Sequence, residues 1–555
     1  MNKTLKYIAI LVLALIVINF ISSKLYKRFD LTSDKRYTLS ESTITIIKDL
    51  ESPIVVDVFL EGNDFPSEFR KLKKETKQLL EEFSAKNKNI IFNFINPLED
   101  ESTRTRNIEQ LTQRGLIPMQ LSVQESGKSS QAVIFPWALA SYNERTVSIP
   151  LVKNKIGTTQ QELVNNSVQH LEYAFADGFS KLIKPKRRKI AILKGNEQLE
   201  DKYIADFVKK LGEYYFIAPF TLDSVASNPQ KTLTGIKAFD LIISAKPTEA
   251  FSEEEKLVLD QYTMYGGKSL WLIDAVAMEK DSLYNADGTN FAVNRDLNLT
   301  EFFFKYGIRI NPLMVSTLYS APITLAMGKG SESQFQHLKW PYSPLAGSSS
   351  KHPIVNNLNL VKFDFANPID TLKNNIKKTI LLETAPLTKL EGTPREVSLK
   401  VVTKEQNPIT FNSGNQSLAV LLEGKFNSVY SNRIKPFKLQ NERNKSVATK
   451  MIVIADGDVI KNDVFRNTPQ ELGFDRWTGQ TYGNKEFLLN AVNYLLDDNG
   501  LINIRSKEIA IAFLDQQKIA AQKTKWQLIN ILLPLVLLTL FGLVFNYLRK
   551  KKYAS

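Results

Sequence analysis

Residues 239–273 read FDLIISAKPTEAFSEEEKLVLDQYTMYGGKSLWLI, and they decide the fold. FDLIIS (239–244) is a short apolar run, of strand length rather than helix length. Ser252 and Glu255 have capping-box spacing and open a helix over 252–265. Gly266-Gly267 ends that helix, and SLWLI (269–273) resumes as a strand. Strand, helix and strand in such quick succession mark a parallel crossover unit.

The same rhythm runs outward in both directions. Upstream lie an amphipathic helix (159–182), a basic linker (Lys184-Pro-Lys-Arg-Arg188), a strand (189–193), a helix near 200–212 and a strand (215–219). Downstream, MIVIA (451–455) reads as a late strand of the same sheet, and 484–497 as a closing helix. Residues 285–445, rich in Asn, Pro and Ser with short strands such as 417–422, read as an irregular insertion. The expectation for 156–504 is a doubly wound, largely parallel α/β domain interrupted near 285–445.

A separate α/β unit is expected over 51–155. Its order is strand 54–60, helix 66–86, strand 89–95, helix 108–114 and strands 120–124 and 130–135. Phe69, Leu72, Leu79, Leu80 and Phe83 share one face of the first helix. This order resembles a thioredoxin-like fold, with Pro118 where that fold places its cis-proline. A plain α/β domain fits the pattern equally well. Between this unit and the N-terminal apolar segment, Thr38 and Glu41 open a short juxtamembrane helix within 30–50.

Apolar segments lie near both ends. Tyr7–Ile21 is apolar apart from Asn19, and lysines flank it. Serine-led cleavage after it would leave Phe20 or Ile21 at a position that wants a small residue, so it reads as an uncleaved anchor within 1–29. Ile529–Tyr547 is long enough to span, with Trp526 and Tyr547 at its two interfaces and Arg549–Lys552 beyond, inside a 526–555 terminal segment. Residues 505–525 are expected to form a helical stalk into it.

The chain of 555 residues carries a net charge of +14. Residues 1–29 and 516–555 hold twelve Lys and Arg and no acid, which leaves 60 basic against 58 acidic residues between them. The basicity therefore belongs to lipid-facing flanks, and nucleic acid is excluded as a partner by the lack of any basic stripe with interleaved aromatics. Charge counts on the two sides of the apolar segments nearly tie, so they do not fix orientation.

Few chemistries survive inspection. The chain has no cysteine, which excludes disulfides, thiolate metal sites and cysteine nucleophiles. His170, His337 and His352 are scattered. Neither a phosphate-binding G-x-x-x-x-G-K-[ST] loop nor a G-x-S-x-G elbow occurs. Asp456-Gly-Asp458, after the late strand, are weak candidates for a Mg²⁺ or Ca²⁺ site; a turn in which Asp456 caps the next helix accounts for them as well. Glu253-Glu254-Glu255 suit a helix start. No catalytic residue and no cofactor is expected.

Six strings act together: RFDLTSDKRYTLS (28–40), WPYSPL (340–345), HPI (352–354), LLEGKFNSVYSNR (421–433), VIADGDVIKND (453–463) and FLLNAVNYLLDD (487–498). With the two apolar ends, they resemble the GldG family of gliding-motility ABC transporter auxiliary proteins of Bacteroidota. The resemblance implies a two-pass inner-membrane protein with its bulk in the periplasm. It also implies partnership with an ABC permease and a separate ATPase, and a link to gliding and secretion components. The middle unit would be class I glutamine-amidotransferase-like or flavodoxin-like, without the cysteine nucleophile. The function expected is thus a non-catalytic, substrate-binding-like auxiliary subunit. Alternatives are a membrane-tethered hydrolase or metal-dependent enzyme, and a glycan- or small-ligand-binding module.

Overall fold

The computed structural model describes residues 3–553, apart from 25–29, 31–37, 49, 63–64, 126–127, 329–332, 498–499 and 507–515. It is a mixed α/β protein with parallel-strand sheets, divided into a unit of residues 1–508 and a second of 509–555.

The central sheet has seven strands. Five are parallel, in spatial order Phe216–Thr221, Lys189–Lys194, Leu241–Ala245, Lys268–Leu272, Thr449–Ile454. Helices cover both faces, so alternate residues of each strand enter different cores. Ile190 and Ile192 pack with Ile204, Phe207 and Phe487 on one face. Ala191 and Leu193 pack with Leu233, Ile236 and Leu257 on the other. Burial on both faces explains why these strands read as unbroken apolar runs. The capping box at Ser252 forms as expected, with the hydroxyl accepting from the Glu255 amide and the Glu255 carboxylate accepting from the Ser252 amide. Trp271 anchors the second core, with Phe251, Phe302 and Phe303 rings 5.6–6.0 Å away and close to edge-on.

The stretch 285–445 is more regular than its composition suggests. Lys377–Glu383 and Ser417–Gly424 leave it to extend the central sheet as antiparallel strands beside Thr449–Ile454. Another part forms the long hairpin Ser320–Met327 with Gln334–Ala346, over a small core of Trp340, Tyr342 and Phe365.

A four-stranded sheet precedes it, in order Ile90–Phe94, Ile54–Val58, Trp137–Tyr142, Arg145–Pro150. The first pair is parallel and the rest antiparallel. The predicted strands 120–124 and 130–135 instead pair with each other, as hairpin Met119–Glu125 and Lys128–Ile134 outside this sheet. Strands 137–142 and 145–150 complete the sheet; their mixed, Ala- and Ser-containing pattern gave too weak a periodic signal. The peptide before Pro118 is trans, since the cis peptide among the described residues precedes Pro394. Helix Gln160–Ile183 packs on strands 137–142 and 145–150 and on helix Ser67–Lys86.

Helix Glu41–Lys48 is capped by Ser40, whose hydroxyl accepts from the Thr43 amide, and not by Thr38, which bonds Asp30. Residues 31–37 of the predicted juxtamembrane segment lie outside the described residues. Helix Lys3–Lys24 contains the first apolar segment, with Tyr7 exposed and Ile10–Asn19 its apolar stretch. In the second unit, one helix runs unbroken from Gln516 to Tyr553 through Pro534, Trp526 and Ile529. Its part Ala521–Tyr553 is long and apolar enough to cross a membrane. Of the predicted stalk, Arg505 and Ser506 close a 3₁₀ turn, and 507–515 lie outside the described residues.

Candidate functional site

Open parallel sheets bind ligands at the carboxyl ends of their strands. Here three neighbouring ends converge on charge: Lys246 after Leu241–Ala245, Asp274 after Lys268–Leu272, and Asp456 and Asp458 after Thr449–Ile454. Lys246 is 3% exposed and sits in the left-handed region at φ 55°. Its ammonium lies 2.6 Å from Asp458 Oδ1, 2.8 Å from Glu279 Oε2 and 3.6 Å from Asp274 Oδ2. Arg295 reaches Asp274 at 3.4 Å. Burial works against the Lys246 charge, yet Asp458, Asp274 and Glu279 together hold its pKa above the ordinary lysine value.

Asp456 is completely buried and plays a different part. Its Oδ1 accepts from the Asp458 amide at 2.7 Å and its Oδ2 from the Asp364 amide at 2.6 Å. It caps the turn Gly457–Ile460. Desolvation, then the neighbouring carboxylates Asp458, Asp274 and Asp364, push its pKa well above the usual range. The two sequence candidates thus sit together, but Asp456 is committed to backbone amides and Asp458 to an internal lysine. Among the described residues, no group of three His, Asp or Glu is placed to hold a metal ion. His170, His337 and His352 have separate neighbours: Tyr173, Thr324 and Tyr494.

Residues of the 275–367 stretch close the strand ends. The Asn367 amide donates to Ala455 O, its side-chain oxygen accepts from the Ala275 amide at 2.7 Å, and its side-chain nitrogen donates to Leu313 O. Lys280 and Lys362 lie 3.4 and 3.7 Å from Asp364, and Ser343 donates to its other oxygen. The crevice where a doubly wound fold would seat a ligand is filled by the protein's own side chains. No spacing rule could have found Lys246, Glu279 or Asp364 beforehand; the one sequence signal was Asp456-Gly-Asp458.

At the strand-order reversal beside Lys189–Lys194, hydrogen bonds tie the following loop to its neighbours. After Gly195 (φ 115°), Asn196 bonds Glu255 at 3.2 Å, and Thr248 Oγ1 donates to Glu197 at 2.7 Å. A cleft of about 590 Å³ does open elsewhere, between helix Gln160–Ile183, the basic linker and residues 501–502. Its wall is internally paired: Lys181 bridges Asp177 and Glu213, and Tyr214 donates to Asp177.

Two tests follow from this packing. A Cβ at Gly457 would overlap the Lys246 stem. Gly457→Ala is therefore expected to cost about 1–3 kcal/mol, read by denaturant unfolding. Burial raises the Asp364 carboxyl, but Lys280 and Lys362 outweigh it and hold the pKa at about 2, against an ordinary 3.8. A depressed folded pKa stabilises above the unfolded value, and that stability is lost as pH falls through the folded one. About 2 kcal/mol should thus vanish between pH 4 and pH 2 in the native protein and not in Asp364→Asn.

Residues 187–491 match the family model described as an ABC-type uncharacterized transport system. Residues 33–141 match a domain of unknown function, DUF7088. No curated protein matches significantly. Among solved structures, "mmIFT52 N-terminal domain" is 13% identical, covering 56% of this chain and 97% of its own length at a TM-score of 0.31.

Proposed function

Since the chain belongs to the ABC-type uncharacterized transport system family and is an auxiliary component of such a system, we propose that it is a non-catalytic subunit held at a membrane by a helix at each end. On this reading the α/β body stands in the periplasm beside a permease and a separate ATPase, within the gliding-motility branch that the sequence resembles.

One observation carries the proposal: the folded body is entered and left at one place. Helix Glu41–Lys48, which follows the N-terminal apolar helix, and turn Leu501–Ser506, which precedes the C-terminal one, both pack on helix Gln160–Ile183 and on each other. Ser42 Oγ donates to Gly500 O at 3.2 Å. The Ser40 amide and Thr43 hydroxyl both donate to Glu172, at 2.7 and 2.9 Å. The Arg505 guanidinium lies 5.1 Å from the centre of the Tyr173 ring. Adjacent exits suit a body suspended from one bilayer by two helices. The filled strand-end crevice favours a scaffold over an enzyme.

Strand order also supports two finer fold assignments. The unit from Ile54 to Ile183 has the order of a thioredoxin-like domain without its redox cysteines, and the five parallel strands have the flavodoxin-like order shared by amidotransferase-like domains.

Reporter fusions at Gly266 and at Ser555 test the topology. A periplasmic signal at Gly266 with a cytoplasmic one at Ser555 is expected; a cytoplasmic Gly266 would overturn the placement. Tagged protein extracted in mild detergent should copurify with a permease, and its recovery alone would remove the subunit reading.

A further inference from the structure

Three hairpins bring an exposed ladder of rings and guanidinium groups together. Val464–Phe465 and Thr468–Pro469 close through the two-residue turn Arg466-Asn467. Phe474–Asp475 and Gln480–Thr481 close through 476–479. Phe335 comes from the long hairpin, opposite Ala326. Phe335 lies 5.0 Å from Trp477. The Arg476 guanidinium is 4.8 Å from both the Trp477 and the Phe465 ring centres, and Arg466 covers Phe465 at 5.2 Å. The order is Phe335, Trp477, Arg476, Phe465, Arg466.

Three properties separate this ladder from ordinary surface. Its rings stay in water: Phe335 is 66%, Trp477 46% and Phe465 44% exposed. Its cations lie 4.8–5.2 Å from ring centres but have, among the described residues, no acidic partner. Arg466 also adopts the left-handed region at φ 49°, followed by Asn467 at 62°. Such two-residue turns favour Asn or Gly at both positions, so an arginine at the first is costly there. Each exposed ring–cation contact returns only about 0.5–1 kcal/mol. What these contacts do achieve is to restrain two guanidinium groups that carry no ion pair among the described residues and can take bidentate carboxylate contacts.

We propose that this ladder is a docking surface for an acidic segment of a partner protein, with two carboxylates on Arg466 and Arg476 and an apolar side chain against Trp477 and Phe335. Rigid aromatic and arginine anchors are the composition that dominates protein-binding energy. Two cations are too few for a polyanion or an anionic bilayer, which need a cluster of them, and suit a pair of carboxylates. The adjacent Asp475 makes no ion pair with either arginine, and its Oδ1 accepts the Trp477 amide at 2.9 Å. The surface stands independently of the transport-subunit reading.

The test is photo-crosslinking in intact cells with the full chain carrying Gln480→p-benzoylphenylalanine, and Ile434→p-benzoylphenylalanine as the control. The expected adduct joins position 480 to a protein segment with at least two Asp or Glu near the crosslinked residue, and the control does not form it. Arg466→Asn should cut the yield at least threefold while leaving Tm unchanged or higher, because asparagine suits that turn. Arg476→Lys, which keeps the charge and loses the fork, should cut it likewise. No adduct, an adduct only to lipid or glycan, a segment without acidic residues, or yields unchanged in both variants would each overturn the proposal.

Discussion

Lys246→Met should destabilise the folded body by about 3–5 kcal/mol, the largest effect expected of a single substitution here. Methionine preserves most of the stem volume and removes the cation. Asp458, Asp274 and Glu279 then face one another with only Arg295 beside Asp274, and Lys461 at 3.8–4.0 Å from Asp458 and Glu279, to offset them. Burial, and then the Asp458 carboxylate, already push Asp274 and Glu279 up, against the lowering by Lys246. A carboxyl whose folded pKa is raised takes up a proton more readily in the native state, so it costs stability as pH rises. The loss in Lys246→Met should therefore be greatest at high pH and shrink toward pH 5. Adding Asp458→Asn should restore part of it, because the two sites are in contact and do not add independently. Chemical denaturation of the native protein, the single variants Lys246→Met and Asp458→Asn, and the double variant at two pH values decides the matter. An unchanged midpoint in Lys246→Met would mean that the cluster is not the lock its geometry describes.

Glu486→Ala should cost about 3 kcal/mol, at the low end for a broken buried pair because Glu486 is 27% exposed. Its two oxygens hold Lys153 and Arg505, whose side chains are 9% and 2% exposed. Arg505 also donates to Pro353 O at 3.2 Å and Asn356 O at 3.1 Å. Removing the carboxylate leaves two buried cations facing each other without it. Burial already lowers the Lys153 pKa to about 8 even with Glu486 present. Burial raises the Glu486 carboxyl, but Lys153 and Arg505 outweigh it and hold it far below its ordinary 4.5. Its stabilisation is therefore present above about pH 4.5 and is lost as pH falls further. The loss should be local as well as global. Amide exchange over 500–506, next to the departure toward the C-terminal helix, should quicken in Glu486→Ala more than in the central strands. Uniform quickening would show that Glu486 supports the whole body and not its exit.

Local chemistry in the sequence was enough for the elements that depend on nearest neighbours. The Ser252 box, the apolar runs at 189–193, 239–244, 269–273 and 451–455, and the long C-terminal apolar helix could all be read in this way, because caps, double-faced burial and membrane length leave short-range signatures. Where the signature was weak, neighbours in space decided. Strands 137–142 and 145–150 displaced the expected 120–124 and 130–135 from the first sheet, and Ser40 displaced Thr38 as a cap because Glu172 draws its amide in. Asp456 and Asp458 could be named from sequence, but their role could not. Whether a carboxylate meets a cation from solution or one from the protein depends on Lys246, 212 residues away along the chain. The same holds for Lys153, Glu486 and Arg505, and for Phe335 against Trp477. Charge and aromatic pairings across such separations have no period and no spacing, so only the folded chain fixes them.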